Sequence, residues 1–187
     1  CVPSPFLSTI PSIASQSPLS MITNIVIAGL GGQGVVKASD ILADAALAAG
    51  FDVKKSELHG MSQRGGSVTS DVRFGDPIHS PVLSPMVPAG EAHVLLVLEP
   101  TQVEVARPLL QADGLLIAPA LLEDGALKNR KSLNVAMLGA LSTALEIGEA
   151  HWQQAIQANL AEKLHAINAQ AFALGRARGP GPGLSQG

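Results

Sequence analysis

The chain has 187 residues, 47% hydrophobic and 14% charged, with 12 Lys+Arg against 15 Asp+Glu for a formal charge of −3. That length suits one domain with tails, and the composition excludes a disordered acidic or basic tail protein. The charge balance gives no electrostatic reason to bind nucleic acid or an anionic membrane, and 3% aromatics with no Tyr argue against a base-stacking platform.

One cysteine, Cys1, cannot make an intramolecular disulfide, hold an iron–sulfur cluster or build a cysteine-based zinc site. Apolar runs such as Val94 to Leu98 are too short to span a bilayer. The expectation is a soluble, cytoplasmic protein. Residues 1–20 hold six Ser, four Pro and no charge. They lack the positive start of a secretory signal and the Arg of a mitochondrial presequence. They read as a disordered or non-native extension, with Met21 as the natural beginning. Residues 178–187 are Gly/Pro-rich and read as a flexible tail, which leaves 21–177 as the domain.

Within the domain, Asn24 to Ala28 reads as a short buried strand. Val35, Ala38, Ile41, Leu42, Ala45 and Ala49 then follow at helical spacing, with Gly50 as the stop. Phe51 to Leu58 is the next strand. From Ser67 to Phe74 the pattern alternates, Val68, Val72 and Phe74 on one face against Thr69, Asp71 and Arg73 on the other. Gly75-Asp76-Pro77 makes a turn. Ala92 to Leu98 is a buried strand, followed by a short helix near 101–110 and a strand at Gly114 to Ala118. Val135, Leu138, Leu141 and Leu145, with Met137, Ala140, Ala144 and Ile147, predict a helix buried on two sides. Trp152 to Leu174 predicts one amphipathic helix or a pair. This alternation predicts an α/β fold: a three-layer, open, mostly parallel Rossmann-like sheet with C-terminal helices.

Two glycine loops stand out. Gly29-Leu30-Gly31-Gly32-Gln33-Gly34 joins the first strand to the first helix, where exposed N–H groups can hold an anion. The alternative is a turn needed only for close strand–helix packing. Glu57, near the end of the second strand, could serve as the ribose-binding acid of a dinucleotide site. The second loop, His59-Gly60-Met61-Ser62-Gln63-Arg64-Gly65-Gly66, brings His, Ser, Gln and Arg together with three glycines. In a parallel sheet it lies on the same carboxyl edge, where ligands gather. Arg64 is the strongest anion contact, since its planar fork suits phosphate or carboxylate; the alternative is a plain solvated charge. Ser62 and Gln63 could orient a ligand or partner. Ser62 lacks the setting of a nucleophile, and His59 fits a structural or a functional hydrogen bond equally. Glu99, ahead of Pro100, could place a carboxylate at the same edge or merely start a helix. The other histidines, 79, 93, 151 and 165, show no metal-ligand spacing. Lys128, Arg130 and Lys131 read as a solvated basic loop.

The Gly29–Gly34 loop, the His59–Gly66 loop, Ser80-Pro81, Glu99-Pro100, Asn134 to Leu141 (NVAMLGAL) and Asn168 to Gly175 stand in the order and spacing of one family. Over about residues 21–177 the chain resembles the gamma-type domain of the thiamine-diphosphate-dependent 2-oxoacid:ferredoxin oxidoreductases. Among these it is most similar to the beta subunits of indolepyruvate oxidoreductases. The resemblance implies a small subunit of a complex that oxidatively decarboxylates a 2-oxoacid, passing electrons to ferredoxin and the acyl group to coenzyme A. It places thiamine diphosphate, magnesium and 4Fe-4S clusters on a large partner subunit, so that this chain alone binds no cofactor and is inactive.

It also implies that both loops face the partner or a ligand. Gly31, Gly32, Gln33 and Gly34 would offer backbone donors to coenzyme A or substrate, with Arg64 and Gln63 beside them. One departure is that only Pro119 to Leu133 separates the strand at 114–118 from Asn134, where the family often carries another strand and helix. That predicts a reduced sheet edge. The rival readings are a free-standing dinucleotide-binding Rossmann oxidoreductase and a non-catalytic assembly module.

Overall fold

The computed structural model describes residues 22–59, 65–122 and 125–181. The extension at 1–20 and the end of the tail, 182–187, lie outside them. Five strands form one sheet in the order β2 (Asp52–His59), β3 (Ser67–Gly75), β1 (Thr23–Leu30), β4 (Ala92–Val97) and β5 (Leu110–Ile117). β1, β4 and β5 pair in parallel, whereas β3 runs antiparallel to both β1 and β2. Four strands therefore share a direction and one is reversed. The reversal has a simple cause. Only residues 60–66 join β2 to β3, and a parallel crossover needs roughly a dozen residues or more.

One face of the sheet carries Ile25 and Ile27 of β1 with Val68, Val72 and Phe74 of β3. Four helices cover it: α1 (Val35–Ala48), α3 (Leu133–Ser142), α4 (Glu149–Asn159) and α5 (His165–Arg178). α1 buries the apolar stripe its spacing predicts and ends ahead of Gly50, whose φ is +93°. α3 is buried from Asn134 to Ser142, as its two stripes require. α5 lies so close against it that a Cβ on Gly175 would run into the Ala136 carbonyl. The final helical region is thus two helices, separated where Leu160 turns extended.

The opposite face is covered thinly. Val26, Ala28, Leu95 and Val97 pack under Val87 and Ala106, the latter on the four-residue helix α2 (Val103–Ala106). The rest of this cover is a strap, residues 76–91, without helix or strand. Side chains from the sheet pin it. Asp52 Oδ2 accepts from Val82 N–H (2.8 Å) and Asp71 Oδ2 from Val87 N–H (2.9 Å). Arg73 donates to the carbonyls of Ser84 (3.0 Å) and Met86 (3.1 Å), and through Nε to Asn24 Oδ1 (2.9 Å). The polar face of β3 is thus roofed over, and Asp71 is only 4% exposed. Burial raises its carboxyl above the ordinary value, with Val87 N–H and Arg73 acting in the opposite direction. At the amino end of β4, His93 Nδ1 accepts from Asn24 N–H at 2.9 Å, and burial lowers its pKa. Both shifts express the cost of a charge in a poorly solvated place.

Candidate functional site

A cleft of about 1010 Å³ opens where β1, β4 and β5 end, at the carboxyl edge where such sheets take ligands. Its floor is the first glycine loop, Gly32 to Gly34. One wall is Leu98-Glu99-Pro100 after β4, continued by Pro119 and Ala120 after β5. The lining is completed by Arg130, Lys131, Leu133 and Asn134, at the start of α3.

Glycine is required in the floor. Gly34 caps α1 with φ +81°, in the left-handed region, and its missing Cβ would stand 2.6 Å from Asn134 Nδ2. No side chain caps α1, so its first-turn donors keep the partial positive charge of a helix start. The loop also fixes which amides remain for a ligand. Gly31 N–H donates to Gly66 O (3.0 Å) and Gln33 N–H to Leu30 O (3.1 Å), so these two expected donors are used inside the protein. The N–H groups of Gly32 and Gly34 have no acceptor among the described residues. The Gln33 side chain is a bracket: Oε1 accepts from Leu30 N–H (2.8 Å), and Nε2 donates to Glu99 Oε2 (2.7 Å).

The Gly31–Gly66 bond also shows that the two glycine loops meet at one edge, and Ser67 Oγ donates to Gln102 Oε1 (2.7 Å) just beside them. His59 ends β2 opposite Val68, and Gly65 and Gly66 are in place. Ser62, Gln63 and Arg64, with Gly60 and Met61, lie outside the described residues. Glu57 is not at the site. It sits on edge strand β2, two strands from β1, where it accepts from Lys55 Nζ (2.8 Å), so the dinucleotide reading loses its ribose acid. Glu99 is half-buried in the cleft wall.

Sequence reasoning missed the part of the lining that precedes α3. Arg130 and Lys131 are exposed, as a solvated basic loop would be, but they stand on an ordered turn, Arg130–Ser132, held by Asn129 Oδ1 accepting from Lys131 N–H (3.0 Å). Neither cation forms an ion pair among the described residues. Asn134 is buried and reaches Gly34 O at 3.4 Å, across 100 residues of sequence. A signal was available, because two cations directly before a helix start oppose the helix dipole. Such a local conflict marks a place where an anion is wanted. Two cations, uncapped α1 and two free amides make the cleft anion-accepting, with Glu99 as the one acidic side chain among its described lining residues.

Fold and site together define a Rossmann-like domain with an anion-accepting cleft at its carboxyl edge. The profile of the family described as pyruvate ferredoxin/flavodoxin oxidoreductase matches residues 24–123, and the chain belongs to that family. It is 46% identical over 97 residues to the indolepyruvate oxidoreductase subunit IorB of Pyrococcus horikoshii, covering 52% of this chain and 46% of that protein. It is 49% identical over 82 residues to the subunit of the same name from Archaeoglobus fulgidus, covering 44% and 38%. The alignments thus span about half or less of these relatives.

Among solved structures, a 2-oxoglutarate:ferredoxin oxidoreductase from Magnetococcus marinus, with 2-oxoglutarate, coenzyme A and succinyl-CoA bound, superposes with a TM-score of 0.73 at 19% identity. The match covers 86% of this chain and 32% of that one. The gamma subunit of a keto/oxoacid ferredoxin oxidoreductase from Geobacter sulfurreducens gives 0.68 at 21% identity, covering 84% and 96%. These likenesses establish the fold.

Proposed function

We propose that the chain, through its domain at 21–177, is the small gamma-type subunit of a cytoplasmic 2-oxoacid:ferredoxin oxidoreductase, of the indolepyruvate or arylpyruvate kind. The complex would take carbon dioxide from a 2-oxoacid, pass two electrons to ferredoxin and hand the acyl group to coenzyme A. The observation that carries this reading is the family match over 24–123 on a fold whose carboxyl edge forms an anion-accepting cleft.

The residues of this chain do not fit the redox cofactors. There is one cysteine in the sequence, and no three His, Cys, Asp or Glu side chains gather among the described residues. Thiamine diphosphate, magnesium and 4Fe-4S clusters would sit on a larger partner subunit, as the resemblance to the family implies. The part played by this chain is to complete the site. Gly32 and Gly34 amides with Arg130 and Lys131 would hold a phosphate or carboxylate of coenzyme A or substrate. Donors already in place need no reorganisation when charge arrives. The second loop, with His59, Ser62, Gln63 and Arg64, would face the partner next to that cleft.

The test is co-expression with a candidate large subunit. Co-purification of a brown complex, turning over a 2-oxoacid with ferredoxin or a dye acceptor only when both chains are present, is the expected result. A chain that purifies alone and adds nothing to the large subunit's turnover would sink the reading.

A further inference from the structure

We infer that Gln33 and Glu99 form a selectivity unit, by which the cleft takes a ligand that carries both an anionic group and a hydrogen-bond donor. The inference rests on the cleft reading above and adds what the acidic wall does.

The unit is built in a fixed order. Leu30 N–H can only donate, so the atom of Gln33 that meets it at 2.8 Å is Oε1. The amide nitrogen must then point away from the loop, and it meets Glu99 Oε2 at 2.7 Å. Loop geometry thus sets the amide orientation, and the amide sets the carboxylate. The backbone of Glu99 is fixed independently. Pro100 restricts it to extended dihedrals, observed at φ −134° and ψ 122°, and Leu98 N–H is tied to Ala28 O at 2.8 Å. A side chain held at both ends is a preorganised acceptor rather than a mobile surface acid.

Only one oxygen of Glu99 is used. Among the described residues Oε1 has no partner, and the side chain lines the same cleft as Arg130 and Lys131. Those cations are not neutralised by Glu99, since no ion pair joins them. The cleft therefore carries two cations and a carboxylate that do not neutralise one another. A phosphate or carboxylate suits the wall at Arg130 and Lys131, and a hydroxyl, amide N–H or amine suits Glu99 Oε1. A ligand with anionic groups and no donor would meet a fixed carboxylate. Rejection by a misplaced like charge is as much a part of selectivity as attraction.

The full chain is titrated calorimetrically with coenzyme A, which carries anions and several donors, and with inorganic pyrophosphate, which carries anions only. Glu99→Gln keeps an acceptor for Gln33 but turns a donor into the cleft. It is expected to weaken coenzyme A about tenfold and to tighten pyrophosphate, reversing the preference while the thermal midpoint stays put. Gln33→Glu sets two carboxylates against each other and lowers the thermal midpoint; combining it with Glu99→Gln re-forms the bridge and restores that midpoint. If the ratio of the two affinities is unchanged in Glu99→Gln, while Arg130→Ala with Lys131→Ala still abolishes binding, this inference fails and the cleft reading survives. Failure of the double substitution to recover the midpoint likewise overturns the bridge. If neither probe binds the wild type, or if loss of both cations changes nothing, the cleft reading falls and this inference with it.

Discussion

The two ends of strands β1 and β4 treat their polar groups in opposite ways. At the amino ends Asn24, Arg73, His93 and Asp71 are bonded to one another or to the strap. At the carboxyl ends the Gly32 and Gly34 amides, the side chains of Arg130 and Lys131 and one oxygen of Glu99 have no protein partner among the described residues. The same sheet thus has a closed end, where donors and acceptors cancel and contribute stability, and an open end, where they are held in place with capacity to spare. A buried polar group left unpaired is costly, so the spare capacity is tolerable only in a solvated cleft. It contributes nothing to folding there and is available for a ligand.

This contrast can be broken from either side. The largest effect is expected at the closed end. Arg73→Ala removes the tie to Asn24, which is 6% exposed, together with two bonds to the strap. It should lower the unfolding free energy by about 3 kcal/mol, read from urea midpoints, and speed proteolysis within residues 76–91. A loss well below this would mean that Asp52 and Asp71 hold the strap unaided.

Next comes a position in the glycine floor of the open end. Gly34→Ala forces a left-handed φ on a side chain and crowds Asn134. It should cost about 2 kcal/mol and also weaken anion binding. A variant that binds pyrophosphate as the wild type does would remove the glycine floor from the site.

A smaller effect is expected at Asp71. Its carboxyl is raised above the ordinary 3.8, mainly by burial. The native state therefore holds the proton to higher pH than the unfolded chain does. The ionised group penalises stability above its folded value, and the penalty fades as pH falls towards 3.8. Asp71→Asn keeps an oxygen for Val87 N–H without the charge. It should be the more stable protein at pH 7, with the gap closing as pH falls through the raised value. A gap that widens on acidification would reverse the assignment.

The smallest stability effect belongs to the cationic wall. Arg130→Ala with Lys131→Ala, both exposed, should leave the unfolding free energy within about 0.5 kcal/mol. Calorimetric affinity for pyrophosphate should still drop tenfold or more, because these cations oppose only solvent in the free protein. A large loss of stability instead would place the pair with the closed end.

Much of the fold was legible in the sequence. Most strands and helices follow from the period of their apolar residues, although the helix expected near 101–110 is only the four-residue α2 and β5 begins at Leu110, ahead of the expected Gly114. Gly29 to Gly34 stands at the strand–helix junction where its pattern has a mechanism. The reversal of β3 was legible in principle from the short connection at 60–66, whereas strand alternation alone carries no direction. The site was half legible. Its glycine floor and Glu99 were found, while Arg130, Lys131 and Asn134 were missed and Glu57 was misplaced.

By itself, then, the sequence determined the elements, the glycine loop and the family, because these are written in residues close along the chain. Only tertiary structure decided that Gln33 meets Glu99 across 66 residues, that Asn134 reaches Gly34 across 100, and that a strap roofs Asp71. Periodicity reports which face of an element is apolar. Where two distant elements come to rest against each other is set by packing, and the cleft exists only in that packing.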